Sequence, residues 1–281
     1  MDTFNGRVAV VTGGGSGIGE GIATVLSKAG AHVIIADRAE DRVDVVCDRL
    51  RRSTGGEVLG IVTDVSDPTS VEGLAEAAYA KFGAVHLLFN NAGTTSVGAV
   101  WETPLEDWKR VLEVNLFGCI HGIRSFVPRM IAGGDEGHIV NTSSMAGVTP
   151  IPLKGPYVAS KWAIIGLSKT LQYDLIAAGA KISVSVVCPG PVATTMTADT
   201  LAYYDNRPIS AADRAKLVEL RDFCNEEGIS PEEAGTIIVE AVRRRHFWAL
   251  PSGQQFWDAA EAIKEELRIE GFGRPLRTAV L

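Results

Sequence analysis

"RVAVVTGGGSGIG", residues 7–19, runs from an unbroken apolar segment straight into a glycine turn. Val8–Val11 shows no polar alternation, so both faces of the segment are expected to be covered, as in a strand of a parallel sheet. Gly13, Gly17 and Gly19 then fall between that strand and a helix. Glycine permits a tight turn, and its missing side chain lets backbone approach a pyrophosphate at the helix N-terminus. The spacing, G-x-x-x-G-x-G, differs from the usual G-x-G-x-x-G of dinucleotide sites. Asp37 adds weight to the reading. It ends the second apolar run, "HVIIAD" (32–37), where a carboxylate can accept from both ribose hydroxyls of an adenosine. The same charge repels a 2′-phosphate.

The alternation continues through the chain. Strand-like runs recur at "VLGIVTD" (58–64), "VHLLFNNAG" (85–93), "HIVNTSS" (138–144), "ISVSVVCPG" (182–190) and "FWAL" (247–250), with helical patterns between them. Helix starts are marked at "SDP" (66–68), "SPEE" (230–233) and "TPLE" (103–106), the last with Thr103 at the cap and Glu106 placed to close a capping box. The expected fold is α/β: a doubly wound, Rossmann-type domain over residues 1–252 with a seven-stranded parallel sheet flanked by helices. The stretch 253–281 reads as a helical tail, with Phe256, Ala260, Ile263 and Leu267 at helical spacing, packed on the same domain or on a partner subunit.

Composition narrows the classes. The 281 residues carry a formal charge of −7, against a nucleic-acid footprint. Cys47, Cys119, Cys188 and Cys224 form no CxxC pair or metal spacing, and read as reduced thiols of a cytoplasmic protein. No signal peptide or membrane-spanning run is expected. His138 opens a strand and reads as packing. His32, His86, His121 and His246 form no motif, so no metal is assigned.

Ligands of such sheets sit beyond the carboxyl ends of the strands. The residues found there are Asp64 and Val65, the "NNAG" of 90–93, Ser144 and the "PGPVAT" of 189–194. Asn115 lies in a helical stretch. In "YVASK" (157–161), Tyr157 and Lys161 lie at i and i+4, on one face of a helix. A phenol of pKa ~10 is a poor base near neutrality. A lysine one turn away favours the tyrosinate and is expected to lower that pKa.

TGGGSGIG, NNAG, Asn115, Ser144, YVASK and PGPVAT, in this order, make the chain resemble the short-chain dehydrogenase/reductase family over about residues 5–250. The resemblance implies that Tyr157 is the catalytic acid/base. Lys161 tunes it and bonds the nicotinamide ribose, Ser144 holds the substrate oxygen, and Asn115 anchors a proton relay. Ser144 is preferred to Ser143 by its thirteen-residue offset from the tyrosine. The implied cofactor contacts are Gly13, Ser16, Gly17, Ile18, Gly19, Asp37, Asp64, Val65, Asn91, Ala92, Gly93, Tyr157, Lys161, Pro189, Gly190, Val192 and Thr194. NAD is expected over NADP, because Ser16 stands where NADP users carry a basic residue, and Asp37 outweighs the following Arg38.

The implied reaction interconverts a secondary alcohol and a ketone. The loop 191–228 is expected to close on the substrate, with Met196, Leu201 and Tyr203 offering apolar contact. Thr94, Thr95 and Met145 join Ser144 and Tyr157 at the pocket. No residue suggests a clamp for a charged substrate, so an apolar, aromatic or alicyclic alcohol is expected. The alternatives are a 3-oxoacyl reductase of lipid metabolism and a catalytically silent dinucleotide-binding regulator. The resemblance also implies a homodimer or homotetramer.

Overall fold

The computed structural model describes residues 1, 3–54, 57–254, 257–258, 260–261 and 265. Seven strands, β1 (Val8–Thr12), β2 (His32–Asp37), β3 (Val58–Val62), β4 (Leu87–Asn90), β5 (Gly137–Thr142), β6 (Ile182–Val187) and β7 (Trp248–Ala249), form one sheet in the order β3-β2-β1-β4-β5-β6-β7. Every pairing is parallel. The helices between them are α1 (Gly17–Lys28), α2 (Glu40–Thr54), α3 (Pro68–Phe82), α4 (Leu105–Leu112), α5 (Gly118–Gly133), α6 (Gly155–Ala177), α7 (Met196–Tyr203), α8 (Ala211–Glu227) and α9 (Pro231–Arg243). The order reverses between β1 and β4, which opens the crevice where a ligand enters such a sheet.

Alternation within β1 explains the two layers. Ala9 and Val11 pack on one face against Ile22 and Leu26 of α1 and Ile238 and Val242 of α9. Val8 and Val10 face the other layer, with Leu74 and Ala78 of α3, Phe126 of α5 and Leu171 of α6. All four β1 side chains are buried, which is why the segment reads as continuously apolar.

Two of the three expected caps form. Asp67 accepts from Thr69 N at 2.9 Å and Ser230 from Glu233 N at 3.1 Å. The capping box at 103–106 does not. Pro104 holds the cap position of α4, and the Thr103 hydroxyl instead donates to Ala99 O at 2.9 Å, closing the preceding loop. Five strands are also shorter than their apolar runs. β4 stops at Asn90 and β5 at Thr142, so NNAG and Ser144 are loop residues beyond the sheet.

The loop 191–228 contains α7 and α8, which cover the carboxyl ends of the strands. Of the tail, residues 253, 254, 257, 258, 260, 261 and 265 are helical. The expected stripe falls mostly outside the described residues, at Phe256, Ile263 and Leu267.

Candidate active site

The turn after β1 is held by its neighbours. Gly13 has φ +64°, and a Cβ there would lie 2.8 Å from Ala92 Cα. Gly17 has φ +53°, and its Cβ would meet Thr194 Cγ2 at 3.0 Å. A larger residue at either position would be strained and would close the crevice. Ser16 occupies the cap position of α1 but makes no capping hydrogen bond, so the first amides of the helix are left to an anion. Asp37 ends β2 with Oδ2 accepting from Gly15 N at 3.1 Å and Oδ1 from Ala39 N at 3.1 Å. Each oxygen of a carboxylate has a second lone pair, which leaves capacity for ribose hydroxyls. Arg38 is exposed beside it.

Across the crevice, Thr12 ties β1 to β4. Its hydroxyl donates to Phe89 O at 3.2 Å and accepts from Asn91 N at 3.0 Å and Ala92 N at 3.2 Å. Asn91 Nδ2 donates back to Thr12 O at 3.0 Å. Val65, after β3, is buried and its carbonyl meets His121 Nδ1 at 2.9 Å. Asp64 is exposed and turned onto Ser66. Pro189 O accepts from Met145 N at 2.9 Å, Gly190 N donates to Ser252 Oγ at 3.2 Å, and Val192 bridges to Ile229. A cleft of about 360 Å³, lined by Ser16, Gly17, Thr194 and Thr195, separates the glycine turn from the lid. The uncapped helix, the glycine cradle and the free lone pairs of Asp37 together fit a dinucleotide.

Asn115, Ser144, Tyr157 and Lys161 come together at the ends of β4 and β5. Residues Glu113–Phe117 form a π-turn between α4 and α5, which rotates Asn115 inward. Asn115 Oδ1 accepts from Thr94 N at 2.8 Å, and its Nδ2 donates to Thr94 O at 3.0 Å and Ser160 Oγ at 2.9 Å. A Cβ on Gly93 would lie 3.5 Å from Asn115 Oδ1, 3.6 Å from Lys161 Nζ and 3.7 Å from Met196 Cε. Asn115, Lys161 and Met196 thus surround one point. Ser144 caps a short 3-10 turn, accepting from Ala146 N at 3.1 Å, and its hydroxyl acts to lower the pKa of the Tyr157 phenol. Ser143 is turned away and donates to Lys161 O at 2.7 Å.

Lys161 is 2% exposed, and its Nζ donates to Thr142 O at 2.8 Å. Burial pushes its pKa down to about 8, partly opposed by the Cys119 and Cys188 thiols. The ammonium lies 5.5 Å from the Tyr157 ring centroid. The net shift of Tyr157 runs opposite to the expected lowering. Burial raises the phenol above its ordinary value, with the Ser144 hydrogen bond pulling the other way. Desolvation disfavours both charged forms, tyrosinate and ammonium alike. One of the three ammonium donors is used within the chain among the described residues, so two are left for a bound group.

The pocket residues divide. Met196 starts α7 over Gly93. Met145 packs with Ile164, Val186 and Cys188, and Thr95 is buried with its hydroxyl on Ser96 O at 3.3 Å. Leu201 and Tyr203 mainly anchor the lid, packing with Val97, Tyr204 and Leu217. His138 is buried with Nε2 2.7 Å from Ser185 Oγ.

A lid anchor escapes the sequence. Asp107, 2% exposed, accepts from Tyr204 OH at 2.7 Å and pairs with Arg110 at 3.5 Å. Arg110 donates to Thr94 Oγ1 at 2.7 Å and Thr95 O at 2.8 Å, and stacks on Tyr203 at 4.0 Å. On the opposite side, Arg42 of α2 makes two hydrogen bonds to Asp199 of α7, at 2.8 and 2.6 Å, holding that carboxyl below the usual range. In sequence these are ordinary charges on amphipathic helices. No local signal marks them, because each partner lies on a distant element.

The model of short chain dehydrogenases matches residues 7–204. The chain is 35% identical to a short-chain dehydrogenase/reductase from Burkholderia phymatum solved in complex with NAD, with a TM-score of 0.91 and full coverage of both chains. It is 37% identical over 215 residues to the 1-deoxy-11-beta-hydroxypentalenate dehydrogenase of Streptomyces avermitilis, covering 75% of this chain and 78% of that one. It is 36% identical over 191 residues to the D-beta-hydroxybutyrate dehydrogenase of Rhizobium meliloti, covering 68% and 73%. The chain belongs to the short-chain dehydrogenase/reductase family of oxidoreductases.

Proposed function

We propose that the protein is an NAD-dependent dehydrogenase that interconverts a secondary alcohol and a ketone, with Tyr157 as the acid/base. The observation that carries this reading is the convergence of Tyr157, Ser144, Lys161 and Asn115 beside Gly93, next to a crevice that fits a dinucleotide. The hydroxylated compounds in the names of two relatives support an alcohol as the reacting group.

In oxidation, Tyr157 takes the hydroxyl proton of a substrate held by Ser144 as the tyrosinate, having first given up its own proton, and the carbinol hydrogen departs as hydride. NAD, when bound, supplies the acceptor for that hydride and a positive ring charge beside the phenol. Lys161 contributes a second positive charge and two free donors for the ribose. Asn115 fixes the loop at Thr94 and, through Ser160, the first turn of α6. The Ser160 hydroxyl donates to Tyr157 O at 2.7 Å, so the carboxamide holds the tyrosine backbone in place. In reduction the same phenol returns the proton.

Asp37 favours NAD, since its carboxylate faces the place where NADP carries a phosphate. The substrate has an apolar body, received under Met196 and the α7–α8 lid. Four unpaired thiols support a cytoplasmic protein. Exposed Phe117 on the π-turn before α5 and Trp162, Tyr173 and Ile176 on α6 support burial in a homodimer or homotetramer.

The test is NADH formation at 340 nm with a panel of secondary alcohols, for the wild type and Tyr157→Phe. The variant is expected to lose about 10³-fold in kcat/KM while still quenching or enhancing NADH fluorescence on binding. Turnover retained by the variant, or a wild-type preference for NADP, overturns the corresponding part of the reading.

A further inference from the structure

Lys154 holds the cap position of α6, three residues before Tyr157, and is 7% exposed. Its Nζ is buried and has no hydrogen-bond partner among the described residues. An ammonium carries three donors and no acceptor. A fold gains nothing by burying it unsatisfied, since an apolar side chain of similar volume would pack there without the penalty.

The backbone is strained to place it. Leu153 has φ 63°, in the left-handed region that a branched side chain rarely enters. Leu153 O accepts from Gly98 N at 3.0 Å, and a parallel bridge joins Gly98 to Lys154. The residue is thereby pinned between the loop after β4 and the first turn of α6. Lys154 is the cap residue of α6 and Tyr157 lies in its first turn, so both side chains belong to the same helix entry. Burial pushes the Lys154 pKa down to about 8, which leaves it charged at neutral pH.

We infer that Lys154 receives a carboxylate of the substrate, so that the compound turned over at Tyr157 is a hydroxy acid or oxo acid with its acid group a few bonds from the reacting carbon. The inference rests on the reading that Tyr157 marks that carbon. A carboxylate supplies the acceptors that the ammonium lacks, and one positive charge balances one negative charge. The pair forms under α7 and α8, away from water, where such a hydrogen bond is strongest. The cations of the loop 191–228 are engaged elsewhere, Arg207 on the Tyr203 ring, Arg214 with Asp205, Lys216 with Glu219 and Arg221 with Asp222, and the clamp comes instead from the entry to α6.

The experiment titrates the NADH-loaded protein with matched pairs of carboxylic acids and their primary amides, straight-chain and cyclic, of three to eight carbons, reading NADH fluorescence. The wild type is expected to bind the acids at least tenfold more tightly than the amides. In Lys154→Met and Lys154→Gln the acids fall to the affinity of the amides. Equal affinity for acids and amides across the panel in the wild type overturns the inference, whether or not the variants fold. So does an acid preference that survives in both variants. Failure of NADH itself to bind the wild type overturns the dehydrogenase reading as well, whereas NADH binding without an acid preference sinks the lysine clamp alone.

Discussion

The dinucleotide side of the crevice and the lid opposite it are held by different forces. On the first side, β1, β4 and β5 pair in fixed register, and Thr12, Asn91 and Asn115 tie the loops together through hydrogen bonds among buried or half-buried groups. On the second, α7 and α8 have no ladder. They are fastened by Asp107 to Tyr204, by Arg110 to Tyr203 and by Arg42 to Asp199. A ladder sums many small terms, so losing one member changes little. A lid fastened by separate side-chain contacts and the apolar cluster of Val97, Tyr204 and Leu217 depends more on single members. Under the proposed function, the cofactor side is thus the more permanent and the α7–α8 side the one suited to opening.

Three measurements can break or sharpen this contrast. The largest effect is expected for Asp107→Ala, which leaves the partly buried Arg110 guanidinium without its carboxylate and the Tyr204 hydroxyl without its acceptor. Breaking a buried pair of this kind costs about 3 kcal/mol. Limited proteolysis should show cleavage within 196–228 before the sheet half yields, and urea unfolding should report the loss. Simultaneous release of both halves would mean that the lid is not a separate unit.

The second concerns acid. His138 in β5 is buried, and desolvation pushes its pKa down to about 3. Below its ordinary value of ~6.5 the unfolded chain takes up a proton that the folded chain refuses. Stability therefore falls as pH drops from ~6.5 toward 3, by at most about 1.4 kcal/mol per pH unit from this group. His138→Gln removes that contribution, and the difference between the two stability–pH curves isolates it. Parallel curves would show that the sheet half does not carry the penalty.

The smallest effect belongs to Arg42 and Asp199, each 36% exposed. Solvent screening limits such a pair to about 0.5–1 kcal/mol even with two hydrogen bonds. A double-mutant cycle with Arg42→Gln and Asp199→Asn, read through the NADH dissociation rate, should give coupling of that size. The coupling should shrink at 1 M salt, where the screening length is about 3 Å. Coupling that salt does not touch would assign the contact a shape rather than a charge.

The same contrast explains what could be read in the chain beforehand. Val8–Val11 and Val33–Ala36 are buried on both faces, and the composition of each run states this directly. The glycine turn and Asp37 follow at fixed places after their strands, so the cofactor side was legible. Strand ends were not, because the polar Asn90, Asn141 and Thr142 are still paired in the sheet while Asn91 and Ser143, of the same character, are not. Thr103 misled because Pro104 takes the cap position of α4 and the Thr103 hydroxyl donates back to Ala99 O. Tyr157 and Lys161 were visible as an i, i+4 pair, but the direction of the tyrosine's shift was not. It depends on desolvation, which the packed neighbours set. Arg110, Asp107 and Lys154 carry no local mark at all. "WKR" looks like a solvated helix face and "LKG" like a turn until distant elements close over them.

The π-turn at Glu113–Phe117 holds one residue more than regular winding would allow. Each residue of an α-helix advances the chain by about 100°. A chain lacking that single insertion would run straight from α4 into α5 and swing one end about 100° relative to the other. The carboxamide of Asn115 would then point away from Thr94, and α4, with Arg110 upon it, would no longer meet the tyrosines of the lid. A single surplus link in one helix thus sets the angular phase of both walls of the pocket.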